Sequence, residues 1–567
     1  MINVKYIEPK KLACPQEIVV TFRYKQEIVN VIRTIPDRFW DAKNKEWHLS
    51  YDSLPVLKEA LPNEEFNVIG TPIDNKKYGE KIIEKHFDLP KGLKTQLYPF
   101  QEEGFNEMMN FDKFLLLFEQ GLGKTCVSIA VALKRKELNN VKHCLVVCGI
   151  NLLKYTWSNE IYKHAGLGAL ILGNRKNKNG KWSTGSTKDK LDDLNNLNEF
   201  FVITNVESLR NKDIKEKLKT LIDKHEIDMI IFDELQACKS PSSQQGKALQ
   251  LLATHVKYFY GLTGTVISNS PLDLYNPLKF VGREVANFTN YKYRYVEYGG
   301  WGNFSIVGYK HLDELQLKLH EVSLRKTKKD VLDLPPKIYI DEYVDMGTKQ
   351  AKLYSDVLKT IMDDIDNVML SPDPLSQMVR LRQVTDFPSI ISSTIEESSK
   401  MVRLKEIVEE VVSNNGKLLV FSNWTSVTDI IYQELSKYNP AIITGKIKDR
   451  EAQKTKFMED DSCKVLIGTI AAMSTGLTLT AANTVVFMDE PWTAASKSQA
   501  EDRAHRIGTN SSINIITLMC KDTIDEHIHK VVKKKQLTSD AIVDKKYDLK
   551  NKDILQFIMT GDGDIDG

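Results

Sequence analysis

Phe114-Leu-Leu-Leu-Phe118-Glu-Gln-Gly121-Leu122-Gly123-Lys124-Thr125 decides the fold. The unbroken apolar run reads as a strand buried on both faces, and the run after it as a loop that opens a helix. The two glycines let backbone N–H groups approach phosphate oxygens, and the helix N-terminus adds positive potential. Lys124 would reach the β- and γ-phosphates of ATP, and Thr125 would place its hydroxyl on Mg2+. The full phosphate-loop pattern wants Gly at 118, where Phe118 stands, so the fragment needs support from elsewhere in the chain.

Outward from it, apolar strands alternate with helices, the mark of a parallel α/β sheet. Cys144-Leu-Val-Val-Cys148, Phe200-Phe-Val-Ile-Thr204 and Asp228-Met-Ile-Ile-Phe232 belong to a first set. After a basic segment with Pro335-Pro336, a second set resumes with Lys417-Leu-Leu-Val-Phe421, Lys464-Val-Leu-Ile-Gly468 and Thr484-Val-Val-Phe-Met488. The helix after Trp424 puts Val427, Ile430, Ile431 and Leu435 on one face.

Asp233-Glu234 closes one of these strands, so its carboxylates reach the sheet edge where a ligand over a phosphate loop would sit. Asp233 would hold Mg2+ through water, and Glu234 would orient and deprotonate the attacking water. Much later comes Gln499-Ala-Glu-Asp-Arg503-Ala-His-Arg506-Ile-Gly508. On a helix, Gln499, Arg503 and Arg506 fall at i, i+4 and i+7 and share a face. Two guanidinium groups there suit a triphosphate, and an arginine finger can accelerate phosphoryl transfer by about 10³ to 10⁵. The plain alternative is a solvated basic face. The phosphate loop and the acidic pair favour an ATPase whose site closes between two lobes.

The chain has 567 residues, room for three or four domains. At 42% hydrophobic and 27% charged it reads as globular, with no apolar run long enough for a membrane span. Its first residues lack the layout of a secretory signal. None of the 7 cysteines forms Cys-x-x-Cys. Cys144 and Cys148 read as buried strand thiols, which fits a reducing cytosol, bacterial or viral-host, without structural zinc. A net charge of +2 means that any nucleic acid must be met by local basic surfaces. Candidates are Arg325-Lys-Thr-Lys-Lys329, Lys533-Lys-Lys535 and the lysine-rich segment 174–190, which reads equally well as a solvated loop.

Residues 1–90 read as a small separate α+β module: a strand at Glu17–Tyr24, a helix at Gln26–Ile35, a hairpin at Phe39–Leu49 and a second helix capped by Asp52. The aromatic stretch Phe288 to Tyr309, with Tyr291, Tyr293, Tyr295, Tyr298, Trp301 and Phe304, could stack on bases; an insertion packing its own rings is the preferred reading.

These motifs, in this order, resemble the Swi/Snf-type branch of helicase superfamily two. Leu97-Tyr-Pro-Phe-Gln101 resembles the motif whose Gln reads adenine, and Phe118–Thr125 resembles motif I. Leu145–Trp157, with Gly149 for the usual Pro, resembles motif Ia, and Ile203–Leu209 resembles motif Ib. Asp233-Glu-Leu-Gln236 resembles the DEAH box, with Gln236 where His is usual; Leu262–Asn269 resembles motif III. Arg325–Lys337 matches the branch's link between lobes, and Val420–Trp424 resembles motif IV. Ser474–Asn483, with Gly476, and Gln499–Gly508 match motifs V and VI. The resemblance implies two RecA-like lobes at 91–323 and 341–567, a linker at 324–340, and a C-terminal brace helix. It implies ATP held by Gln101, Gly121, Leu122, Gly123, Lys124, Thr125 and Gly476, with Mg2+ at Thr125 and Asp233. Glu234, Asp233, Gln499, Arg503 and Arg506 are then the catalytic set. Residues 1–90 resemble the HARP module of annealing helicases, on Ile35-Pro-Asp-Arg-Phe-Trp40, Lys45-Glu-Trp47 and the Leu-rich helix.

The expectation is therefore a monomeric DNA-dependent ATPase that tracks along duplex, forked or branched DNA, remodelling forks or reannealing strands. Its rivals are a protein-displacing translocase without annealing activity, an ATP-gated DNA-binding scaffold, and an RNA-unwinding enzyme.

Overall fold

The computed structural model describes residues 1–8, 16–35, 38–72, 81, 83, 85–148, 153–176, 182–284, 286–299, 305–332, 335–363, 375–447, 449–473, 479–506 and 512–543. The fold is α/β, and the chain divides into two compact units: residues 1–327 with 537 onward, and residues 328–536.

At the start of the first unit lies a mixed sheet of β1 (Ile2–Ile7), β2 (Glu17–Phe22), β3 (Arg38–Asp41), β4 (Glu46–Ser50) and β5 (Phe66–Ile69), in the order β3-β4-β2-β1-β5. Only the β1–β5 pair is parallel. The helices Gln26–Thr34 and Ser53–Ala60 place Ile28, Ile32, Leu54 and Leu57 against Ile2, Val4, Ile18 and Val20. The expected strand, helix, hairpin and helix are all present; β1 and β5 are additional. One detail differs. Asp52 does not cap its helix; its carboxylate is taken by Arg294, 242 residues away in sequence.

The rest of the first unit is built on seven strands: β6 (Lys113–Phe118), β7 (His143–Cys148), β8 (Ala169–Ile171), β11 (Phe201–Asn205), β12 (Ile227–Asp233), β13 (Tyr258–Leu262) and β16 (Ser323–Lys326). Their order is β16-β6-β13-β12-β7-β11-β8, and every pair is parallel. Cys144 and Cys148 are wholly buried in β7, as expected. Two hairpins project from this body: β9 (Asn174–Lys176) with β10 (Trp182–Thr184), and β14 (Val296–Gly299) with β15 (Ser305–Tyr309).

The second unit carries β17 (Lys337–Val344), β18 (Leu418–Ser422), β19 (Ala441–Ile443), β20 (Val465–Thr469), β21 (Thr484–Phe487) and β22 (Ile513–Cys520). They form a parallel sheet in the order β17-β22-β21-β18-β20-β19. Alternate residues of its central strands enter two cores, with Leu419, Phe421 and Val485 on one face and Leu418, Val420 and Val486 on the other. The segment expected as a linker, 324–340, is in part sheet: its first residues close the first sheet as β16, and its last begin β17. The long helix Ile524–Val543 follows β22.

Candidate active site

β6 delivers the chain to the phosphate loop. Gly121 and Gly123 have φ of 85° and 81°, a region that costs other residues strain. Gly123 is required twice over, because a Cβ there would lie 2.3 Å from Gln101 Nε2. The helix Lys124–Asn139 starts at the next residue. Gln101, buried on the helix Pro99–Asn110, donates from Nε2 to the Leu122 carbonyl at 3.0 Å and accepts from the Tyr98 N–H at 3.0 Å. Its amide thus braces the loop from behind. Lys124 folds back, and its Nζ donates to the carbonyls of Phe118 and Glu119 at 2.9 and 3.4 Å.

β12 brings Asp233 and Glu234 to the same edge of the sheet. Asp233 Oδ2 accepts from the Trp157 indole N–H at 2.8 Å, and Oδ1 accepts from the Glu234 N–H at 3.0 Å. Burial, and next the charge of Glu234, push the Asp233 carboxyl up to about 6, against the Trp157 hydrogen bond and the charge of Lys124. A cation here would relieve that repulsion. Thr125, Lys124 and Asp233 are therefore a donor set that fits a nucleotide with its divalent ion.

Glu234 stands at φ 59°, a left-handed backbone that non-glycine residues rarely adopt and that costs about 1 kcal/mol or more. Its Oε2 accepts from Gln236 Nε2 at 2.5 Å, and Gln236 Oε1 accepts from Thr263 Oγ1 at 2.7 Å. The Thr265 N–H donates to that same hydroxyl at 2.9 Å. Gln236 can make this bridge because an amide donates and accepts at once. Arg325 Nη1 then donates to Leu117 O and Gly264 O at 2.9 and 3.0 Å, joining the ends of β6 and β13 through β16. From the sequence, Trp157 belongs to the motif Ia stretch and Arg325 to a basic patch and the inter-lobe link, and neither to the catalytic set; each reaches the site by tertiary contact.

In the second unit the expected helical face is not formed as such. The helix Ala494–Glu501 contains Gln499 but ends before Arg503, and residues 502–504 form a turn. Its followers are held elsewhere. Asp502 Oδ1 meets Lys328 Nζ at 2.8 Å and Lys337 Nζ at 3.0 Å. Glu501 Oε2 takes Lys337 Nζ and the Tyr339 hydroxyl, both at 3.0 Å. The His505 carbonyl accepts from Lys328 at 2.6 Å, and His505 Nε2 meets the Pro335 carbonyl at 2.8 Å. Burial alone would raise the Asp502 carboxyl, but Lys337 and Lys328 outweigh it and hold it below the usual range. Arg503 is buried, with Nε on the Gln499 carbonyl at 3.2 Å, and Arg506 is half-buried. Gly476, Gly149 and Gly508 lie outside the described residues.

The suggested DNA surfaces fare unevenly. Arg175 pairs with Asp193 at 2.8 Å, and Lys190 donates to Ser208 Oγ at 2.8 Å, beside Asn205 of the motif Ib stretch. Two of that segment's basic residues are thus held within the fold, while Lys178 and Lys181 lie outside the described residues. Lys533, Lys534 and Lys535 lie on the helix Ile524–Val543. In the aromatic stretch, Tyr291 and Tyr295 are wholly buried against Tyr275 and each other, as the packing reading expected. Trp301 and Phe304 lie outside the described residues.

The SNF2-related domain matches residues 100–390, and the helicase conserved C-terminal domain matches residues 399–508. The chain belongs to the SNF2-related family. An uncharacterized ATP-dependent helicase of Mycoplasma pneumoniae is 28% identical over 79% of this chain and 42% of its own length. A Caenorhabditis elegans homolog of SWI/SNF-related matrix-associated actin-dependent regulator of chromatin subfamily A-like protein 1 is 25% identical over 91% of this chain and 73% of its own. The human DNA annealing helicase and endonuclease ZRANB3 is 26% identical over 77% of this chain and 39% of its own. The SWI2/SNF2 ATPase core of Sulfolobus solfataricus, solved with double-stranded DNA, is 26% identical over 81% of this chain and 95% of its own, with a TM-score of 0.37. The chain spans about two fifths of the Mycoplasma protein and of ZRANB3. Among the described residues, no helix is long and apolar enough to cross a membrane.

Proposed function

We propose that this chain is a DNA-dependent ATPase that tracks along duplex or branched DNA, and that its work is remodelling forks or reannealing strands. The observation that carries the ATPase reading is the pairing of a glycine-shaped phosphate loop with the Asp233–Glu234 carboxylates on one sheet edge. In this reading Lys124 leaves the Phe118 and Glu119 carbonyls for the β- and γ-phosphates. Glu234 accepts the proton of the attacking water, held in place by Gln236. Arg503 and Arg506 answer the charge on the leaving phosphate, with Gln499 beside them. A bound Mg2+, held by Thr125 and Asp233, supplies charge neutralisation on the phosphates. Gln101 positions the loop by its bond to the Leu122 carbonyl, and Gly476 completes the nucleotide set.

Two relatives support the choice of DNA work. ZRANB3 is named as a DNA annealing helicase, and the Caenorhabditis elegans match, at 91% of this chain, extends into the N-terminal module. We read that module as HARP-like and as the part that meets branched DNA. Contacts would run to phosphates, so binding would weaken steeply with salt and depend little on sequence.

The test is steady-state ATPase on single-stranded, duplex, forked and bubble DNA, with RNA as competitor. Strong activation by duplex and forked DNA is expected. No activation by any DNA would favour the ATP-gated scaffold, and RNA acting as well as DNA would favour RNA unwinding. Removal of residues 1–90 tests the module's part: full-rate reannealing of bubble DNA by the shortened chain would overturn the reading that the module serves annealing, and no reannealing by the full chain would leave only a protein-displacing translocase.

A further inference from the structure

The aromatic insertion, which the ATPase chemistry does not use, is tied at one end to the N-terminal module and at the other to motif III. Asp52, at the start of the module's second helix, receives Arg294 Nη1 on both oxygens at 3.0 and 3.1 Å. His311 Nδ1 lies 3.4 Å from the same carboxylate. Arg294 is wholly buried on the helix Phe288–Tyr295, and its Nη2 donates to Glu314 Oε2 at 2.5 Å. A buried guanidinium held between buried Glu314 and the half-buried carboxylate of Asp52 shifts only by giving up charge-assisted hydrogen bonds. One turn back on the same helix, Tyr291 packs edge-on against Tyr275 at 5.1 Å and donates its hydroxyl to the Pro271 carbonyl at 3.4 Å. Pro271 opens the short turn that carries Asp273. Asp273 Oδ2 accepts the N–H groups of Ser268 and Asn269, at 2.9 and 2.7 Å. Those two residues end the Leu262–Asn269 stretch whose Thr263 meets Gln236.

We propose that the helix Phe288–Tyr295 is the seat on which the N-terminal module docks, and that the module acts on the ATPase lobe through it. Asp52 is the module's contact, Arg294 the positioning residue, and the loop at Ser268–Asn269 the receiver. DNA engaged by the module would then bias motif III without touching the nucleotide. The functional half rests on the proposed ATPase reading; the docking half does not.

The module side is the place to cut, because removing Arg294 would take from buried Glu314 its nearest cation and leave it Tyr295 and the more distant Lys318. In the full chain, Asp52→Asn keeps the shape and removes the charge, and Asp52→Lys reverses it. Amide hydrogen exchange should quicken at least about threefold across 288–295 and at Ser268 and Asn269, more in Asp52→Lys than in Asp52→Asn. DNA-free ATPase should stay unchanged, while the ratio of fork-activated to duplex-activated ATPase falls by about threefold or more. Lys25→Ala, which breaks only the exposed pair with Glu64 inside the module, is the control and should leave Ser268 and Asn269 untouched. Unchanged exchange at Ser268 and Asn269 in both Asp52 variants would overturn the proposal, as would a preserved fork preference. Absence of any DNA activation in the parent chain would count against the ATPase reading alone; the exchange data would still decide the docking.

Discussion

Gly121–Thr125 takes its shape from its own residues and nearest neighbours: two positive-φ glycines, a strand before, a helix after, and one glutamine amide behind. Glu501–Arg506 is shaped from a distance. Its backbone leaves the helix because Asp502, Glu501 and His505 are claimed by Lys328, Lys337, Tyr339 and the Pro335 carbonyl, more than 150 residues earlier in sequence. A locally encoded loop can be read from a dozen residues. A turn held by buried ion pairs keeps its helical periodicity in sequence and loses it in space. The first should fail by chemistry, with the fold intact; the second should fail by fold and chemistry together.

The largest effect should come at the loop. Lys124→Ala and Glu234→Gln should each lower ATP turnover by about 10³-fold or more, Glu234→Gln while retaining nucleotide binding. Both proteins should melt like the parent. Measurable turnover near the parent rate in Glu234→Gln would mean that another group takes the proton. In the second unit, Arg506→Ala should reduce turnover by about 10³-fold and spare DNA binding; unchanged ATPase would remove that arginine from the chemistry.

Asp502→Asn tests the other half of the contrast. It keeps the side chain's shape and removes the carboxylate charge shared by Lys328 and Lys337, both largely buried, leaving Lys337 on Glu501 and Lys328 on the His505 carbonyl. A loss of about 3 kcal/mol from the unfolding of the second unit is expected, read by urea titration. Nucleotide binding at the phosphate loop should hold. Equal stability in the variant would show that the turn is made by local sequence after all.

How far the sequence could be read follows the same divide. The phosphate loop, the Asp233–Glu234 pair and the seven strands named by their apolar runs needed only short windows; the two short strands of the module's aromatic hairpin needed each other. Strands β13 and β17 went unnamed because Gly261 interrupts one and charged residues alternate through the other. Asp52 has the right type for a helix cap, yet a buried guanidinium outbids two backbone N–H groups. Trp157 sits 76 residues from the aspartate it steadies, and no spacing rule reports that. Gln236 was visible as a departure from His, but its bridge to Thr263 was not. Gln236→Leu should therefore lower turnover by about tenfold through loss of Glu234 placement, with Gln236→His recovering most of it; an unaffected rate in the leucine variant would show the bridge to be idle.

The smallest effect is a pH dependence confined to the second unit. His529, on the helix Ile524–Val543, sits between Asp341 Oδ2 at 3.3 Å and Glu490 Oε2 at 2.9 Å. Lys497 binds the other oxygen of Glu490 at 2.7 Å, and Lys533 also faces Asp341. The hydrogen bonds to Asp341 and Glu490 raise the imidazolium to about 9, against burial. A group whose folded value lies above its unfolded one stabilises fully below the unfolded value, near 6.5, and loses that contribution as pH climbs through the folded one. The second unit should thus lose on the order of 2 kcal/mol between about pH 6.5 and 9.5, after allowance for partial exposure. His529→Gln should flatten that slope in urea titrations of the full chain, while the first unit's transition, with its locally built loop, keeps the parent's pH profile. If the slope survives the substitution, the charge between Asp341 and Glu490 is not what holds that helix in place.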